Sequence, residues 1–115
     1  MIEQLGGYEL AKQVFDSVPK DGNSYTVTRD DTGASFHSGD IFKALLEYRR
    51  QHNIFEVGDL IVFLSNIAPE HDGIYTITEI FKNSCFVIED GMDYRAFYDY
   101  IRHATDEEIQ AGRRL

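Results

Sequence analysis

Hydrophobic positions recur along this chain with two different periods, and the change between them divides it. Over residues 2–18, Leu5, Tyr8, Ala11, Val14 or Phe15, and Val18 return every three or four residues, the spacing of one helix face. Gly6 and Gly7 weaken the first turn, so the helix is expected to be firm from Tyr8. Pro19 ends it, because the residue before a proline is pushed out of the α region. Lys20 to Asn23 make a turn. Residues 25–29 and 34–37 flank Asp30-Asp31-Thr32-Gly33 and read as a hairpin. Residues 40–53 are helical again, with Ile41, Leu45, Tyr48 and His52 on one face and Phe42 and Leu46 widening it. Asp40 can cap the first turn, and Arg49 and Arg50 lie near the C-terminal end, as the macrodipole favours. Residues 1–53 thus form an α-β-β-α element.

From Phe55 the period falls to two. The runs FEVGDLIVFL, GIYTITEIF, SCFVIEDGM and DYRAFYDYI are rich in β-branched and aromatic residues, and Gly, Pro, Asp or Asn stands at each break. Short strands so spaced read as a small closed five-stranded β-barrel over residues 55–101. Residues 60–64 are apolar on both faces, which places that strand centrally. NIAPEHDG is the first long loop, Asn83-Ser84 a turn, and Asp90-Gly91 a strong hairpin signal. Beyond it, alternation puts Tyr94, Ala96, Tyr98 and Tyr100 on one face and Phe97 and Ile101 on the other, although helix and strand are poorly separated there. The closing RHATDEEIQAGRRL reads as a short helix: Thr105 and Glu108 fit a capping box, and Gly112 the C-cap.

Charge changes the picture more than composition does. The net charge is −9, and residues 55–101 hold nine acids against Lys82 and Arg95 alone, while residues 1–54 hold eight acids against six bases. Affinity for nucleic acid comes from neutralising phosphates with Lys and Arg, so this balance disfavours a nucleic-acid barrel. The acids either keep the chain soluble or meet a basic surface on another macromolecule. Hydrophobic residues make up 43%, as in an ordinary globular protein. The single Cys85 allows no intrachain disulfide and suits a reducing cytosol. The N-terminus lacks the basic flank and long apolar core of a signal peptide, and the run 60–64 is too short to cross a bilayer. The expected protein is soluble and intracellular, with no membrane partner.

Candidate chemistry is thin. Asp31-Thr32-Gly33-Ala34-Ser35 matches the context of an aspartic-protease carboxylate, but Thr28, Arg29 and Asp30 precede it where apolar residues would be needed to bury the acid. His37, His52, His71, His103 and Cys85 are scattered, with no pair at metal-ligand spacing. Cys85 lies among Phe86, Val87 and Ile88 and reads as a small buried hydrophobe. No phosphate loop or nucleophile elbow occurs. The expectation is a non-enzymatic chain with no cofactor and no metal. The constellation that remains is aromatic and acidic: Glu89, Asp90, Asp93, Tyr94, Tyr98, Asp99 and Tyr100 form a candidate partner-binding strip, tyrosine being enriched at protein contacts. The competing reading is that these rings fill the barrel and cover its end.

FEVGDLIVFL followed by GIYTITEI resembles the opening strands of SH3-like or KOW-like barrels, in which V-G-D leads into the first strand. With it, the expected fold is α+β: an N-terminal α-β-β-α element (residues 1–53) packed on an SH3-like five-stranded β-barrel with a short C-terminal helix (residues 54–115), since about fifty residues rarely fold alone. The two ends of the chain resemble small accessory proteins of tailed bacteriophages and prophages. They carry Leu5-Gly6-Gly7-Tyr8-Glu9 with Ala11-Lys12 and Pro19, and Arg102-His103-Ala104-Thr105, Glu107-Glu108-Ile109 and Ala111-Gly112-Arg113-Arg114-Leu115. Asp106 stands where that pattern has proline, at a first helical position that tolerates either.

That resemblance implies a phage protein made in the host cytoplasm and transfers no site residue. Joined to the charge, it gives the expected function: binding and modulating a bacterial host protein with a basic surface, in host takeover or counter-defence. The alternatives are a nucleic-acid-binding regulator relying on Arg29, Lys43, Arg49, Arg50, Arg113 and Arg114, or a structural role, as a virion or assembly protein or a self-associating module.

Overall fold

The first helix begins where two glycines break the chain. A single 3-10 turn, Glu3–Leu5, is followed by Gly6 and Gly7 at φ 95° and 103°, and α1 then runs Tyr8–Asp16. Side chains other than hydrogen rarely occupy those values, so the N-terminal helical pattern is split rather than continuous. The computed structural model describes residues 1–28 and 33–115, and the chain divides into two units, Met1–His52 and Asn53–Leu115. The fold is α+β, with three α-helices, a two-stranded sheet and a five-stranded antiparallel sheet among the described residues.

In the first unit, Leu5 and Ala11 share a buried cluster with Ile41 and Leu45 of α2 (Ser38–His52). Ile2, Tyr8, Val14, Phe15, Val27 and Phe36 pack around it. Val27 and Phe36 face each other across the hairpin of β1 (Thr26–Thr28) and β2 (Ser35–His37). Residues 29–32 lie outside the described residues, and with them Asp31 and Thr32 of the D-T-G motif. Helix α2 starts two residues before the expected Asp40. Ser38 donates its N–H to the Tyr25 carbonyl (2.7 Å) and accepts the Tyr25 N–H on Oγ (2.9 Å). Asp40 therefore sits inside the first turn, where its charge complements the dipole without capping it.

The second unit holds β3 (Leu60–Phe63), β4 (Tyr75–Ile80), β5 (Ser84–Glu89), β6 (Met92–Phe97) and β7 (Ile101–His103), in the spatial order β6-β5-β4-β3-β7. Strand β3 has neighbours on both sides, and its consecutive residues Ile61 and Val62, which point to opposite faces, are both buried. Ile61, Tyr75, Ile77, Cys85, Val87, Ala96 and Ile101 form the core, with Phe55, Phe63, Tyr94 and Tyr98 packed against it. Cys85 is fully buried, and that burial pushes its thiol pKa up. The β4–β5 register shifts between Ile77 and Glu79, a bulge that bends β4.

One expectation is met only in part and two need correcting. The strand pairing is open, with β6 and β7 as its edges, so the closed barrel goes beyond what the hydrogen-bonded ladder contains. The last aromatic run is not one strand: β6 stops at Phe97, and Tyr98–Tyr100 forms a 3-10 turn. Arg102 and His103, which the pattern assigns to the closing helix, belong instead to β7, pairing with Val62 and Ile61. The helix itself, α3 (Asp106–Ala111), is capped as its sequence requires. Thr105 Oγ1 accepts the Glu108 N–H, Glu108 accepts the Thr105 N–H, and Gly112 closes at φ 74°. No helix among the described residues is long and apolar enough to cross a membrane.

Candidate protein-interaction surface

The β5–β6 hairpin positions the first group of candidate residues. Asp90 and Gly91 both take positive φ, 51° and 80°, which gives a two-residue turn whose twist matches the strands it joins. The register that follows sets Glu89 opposite Met92, Ile88 opposite Asp93, Val87 opposite Tyr94 and Phe86 opposite Arg95. Side chains alternate between faces, so Tyr94 shares the core face with Val87 while Asp93 and Arg95 stand on the outer face.

The aromatic and acidic residues therefore separate by role. Tyr94 is half-buried and meets Tyr75 and His71 edge to face, at 5.8 and 5.9 Å between ring centroids. Glu89 is half-buried as well. Its carboxylate lies over Gly73, where an added Cβ would come within 1.6 Å of Oε2. Burial, and then the Glu89 charge, push the Tyr75 hydroxyl pKa up. Asp90 and Asp93 are exposed.

The second group lies on the 3-10 turn at the other end of β6, about 17 Å away along a six-residue strand. Tyr98 stacks on Phe55 (5.4 Å, 1°) and donates its hydroxyl to the Phe81 carbonyl at 2.6 Å, and burial raises its pKa. Asp99 and Tyr100 are exposed. Tyr100 meets Phe97 edge to face at 5.8 Å, and the two rings, 43% and 49% exposed, flank a cleft of about 300 Å³ lined also by Asn83, Tyr98 and Asp99. The candidate strip is thus two patches, Asp90 with Asp93 and Asp99 with Tyr100, while Glu89, Tyr94 and Tyr98 are committed to packing.

Sequence reasoning missed Phe97 and the outer-face cluster. The Arg95 guanidinium lies over Phe81 and Phe86, at 5.6 and 5.9 Å, and its Nε donates to Ser84 Oγ at 3.1 Å. The signal for it was available: the Asp90-Gly91 turn sets the register that puts Phe86 opposite Arg95. No group of three or more His, Cys, Asp or Glu among the described residues is placed to hold a metal. No family model, curated protein or solved structure matches the chain.

Proposed function

We propose that this chain is a non-enzymatic accessory protein of a tailed bacteriophage that binds a bacterial host protein with a basic surface and modulates it. The observation that carries the reading is the one-sided charge of residues 55–101, nine acids against two bases, together with exposed Asp90, Asp93 and Asp99 and the exposed rings of Phe97 and Tyr100. Carboxylates steer and orient a basic partner, and the aromatic faces offer an Arg or Lys side chain a cation–π contact. Such a partner would be held at two places, one at each end of β6. We read the second unit as SH3-like. The strand order β6-β5-β4-β3-β7, the bulge in β4 and the 3-10 turn before the last strand support that finer assignment.

The test is affinity capture from bacterial lysate at low and high salt, with bound species identified by mass spectrometry. A single stoichiometric host protein with a basic surface, released by salt, is expected. The triple change Asp90→Asn, Asp93→Lys, Asp99→Lys, with Asn kept at the positive-φ turn position, should abolish its capture without moving the melting transition. Undiminished capture by that variant would refute the acidic face, and recovery of nucleic acid would transfer the reading to a nucleic-acid regulator.

A further inference from the structure

Strand β6 is an open edge of unusual regularity. All six residues from Met92 to Phe97 pair with β5 without a shift in register. Natural edges are blunted by charged side chains, lysine above all, by proline, by a bulge or by a covering segment. β6 contains neither proline nor lysine, its two charges, Asp93 and Arg95, are one of each sign, the bulge of this sheet lies in β4, and no strand among the described residues pairs with the outer side of β6. In a ladder closed by a two-residue turn, Glu89–Met92, Val87–Tyr94 and Cys85–Ala96 are the hydrogen-bonded pairs. The N–H and C=O groups of Asp93, Arg95 and Phe97 consequently point away from β5.

We infer that this edge is a self-association site: two copies pair β6 against β6, antiparallel, about a two-fold axis through Tyr94. The occupant follows from charge complementarity. Outward-pointing groups must meet outward-pointing groups, so only a few registers are allowed. Centring on Asp93 sets Asp93 against its own copy, and centring on Arg95 sets two arginines opposite each other. Centring on Tyr94 sets Asp93 opposite Arg95 of the second copy and Arg95 opposite Asp93, two opposite-charge pairs on the outer face.

The same register resolves the exposed apolar ends of the edge. Met92, 61% exposed, falls opposite Ala96 of the second copy, and Phe97 falls opposite Gly91, which leaves room for the ring. A second copy satisfies every feature of this edge at once. An unrelated extended peptide, paired antiparallel, would have to supply an Asp-x-Arg of its own.

The test is sedimentation equilibrium of the full chain from about 10 µM to about 1 mM, a range suited to a short edge-to-edge interface. Salt at about 0.3 M would suppress the repulsion between copies of charge −9. The mass is expected to rise from 13.2 kDa towards twice that value. Asp93→Arg and Arg95→Asp should each weaken association at least about tenfold, since the symmetry counts each reversal twice. An equimolar mixture of the two variants should assemble again as a heterodimer. In the wild type alone, amide exchange at Asp93, Arg95 and Phe97 should slow as concentration rises. A chain that stays monomeric throughout, reversals that leave the dimer intact, a mixture that fails to reassemble, or exchange at those amides indifferent to concentration would each overturn the proposal.

Discussion

Arg102 of β7 grips Glu108 of α3 with both ends of its guanidinium, Nη1 to Oε1 at 2.7 Å and Nη2 to Oε2 at 2.9 Å. Glu108 is only 1% exposed, and its carboxylate also accepts the N–H groups of Thr105 (3.0 Å) and Leu115 (2.9 Å). One side chain thereby ties the last strand, the helix cap and the tail together. The arginine fork, more than any other contact, holds the Glu108 pKa at about 2, below the ordinary 4.5.

The sign of the pH dependence follows. The folded state binds this proton less readily than the unfolded chain, so the contribution is complete above about pH 5 and disappears as pH falls towards 2. Its size is on the order of 3 kcal/mol. Glu108→Gln keeps a capping side chain and removes the charge. It should cost about 2–3 kcal/mol at pH 7, and urea melts should show the gap from wild type closing as pH approaches 2.5.

Arg114 organises the loop between β3 and β4. Its Nη1 donates to the carbonyls of Phe63 (2.8 Å), Ala68 (3.2 Å) and His71 (3.4 Å), and its Nη2 to Pro69 (3.1 Å). Arg114→Ala should lower stability by about 1–3 kcal/mol and speed amide exchange across residues 64–73. Arg114→Lys should not restore the protection, because a point ammonium cannot fork across four carbonyls.

Gly73 and Glu89 should show a sign reversal. Gly73→Ala places a methyl group where the Glu89 carboxylate now lies, and the swing of that side chain should cost about 1 kcal/mol. With Glu89→Ala already present the space is open. The same Gly73→Ala should then stabilise by a few tenths of a kcal/mol to about 1, through the stiffer unfolded chain. A double-mutant cycle from thermal melts reads the coupling.

Tyr98 and Tyr100 are two residues apart and should behave differently. Tyr98→Phe loses the bond to the Phe81 carbonyl and should cost about 1 kcal/mol in stability while leaving partner capture unchanged. Tyr100→Ala should shift stability by less than about 0.5 kcal/mol and weaken capture, because its ring is exposed at the surface beside Phe97. Capture left unchanged by Tyr100→Ala would mean that its ring is not part of the surface.

What could be read from the sequence is what short-range hydrogen bonds and φ preferences control. The capping box of Thr105 and Glu108, the break at Gly6-Gly7 and the Asp90-Gly91 turn each involve groups within a few residues of one another, so composition alone specifies them. The burial of Cys85 and the double-sided burial of β3 follow from uninterrupted apolar runs. Other features depend on which distant segments meet. Three residues after the 3-10 turn become β7 only because β3 offers them an edge, with Ile61 opposite His103. Tyr98 becomes a packing residue because its ring meets Phe55 and its hydroxyl finds the Phe81 carbonyl. Glu89 becomes a packing residue because Gly73 lies beneath it, and Arg114 a loop anchor because four carbonyls converge on it. Sequence periodicity carries no record of such pairings. They are chosen by the register and packing of strands far apart in the chain, which is why the candidate strip became two patches only in three dimensions.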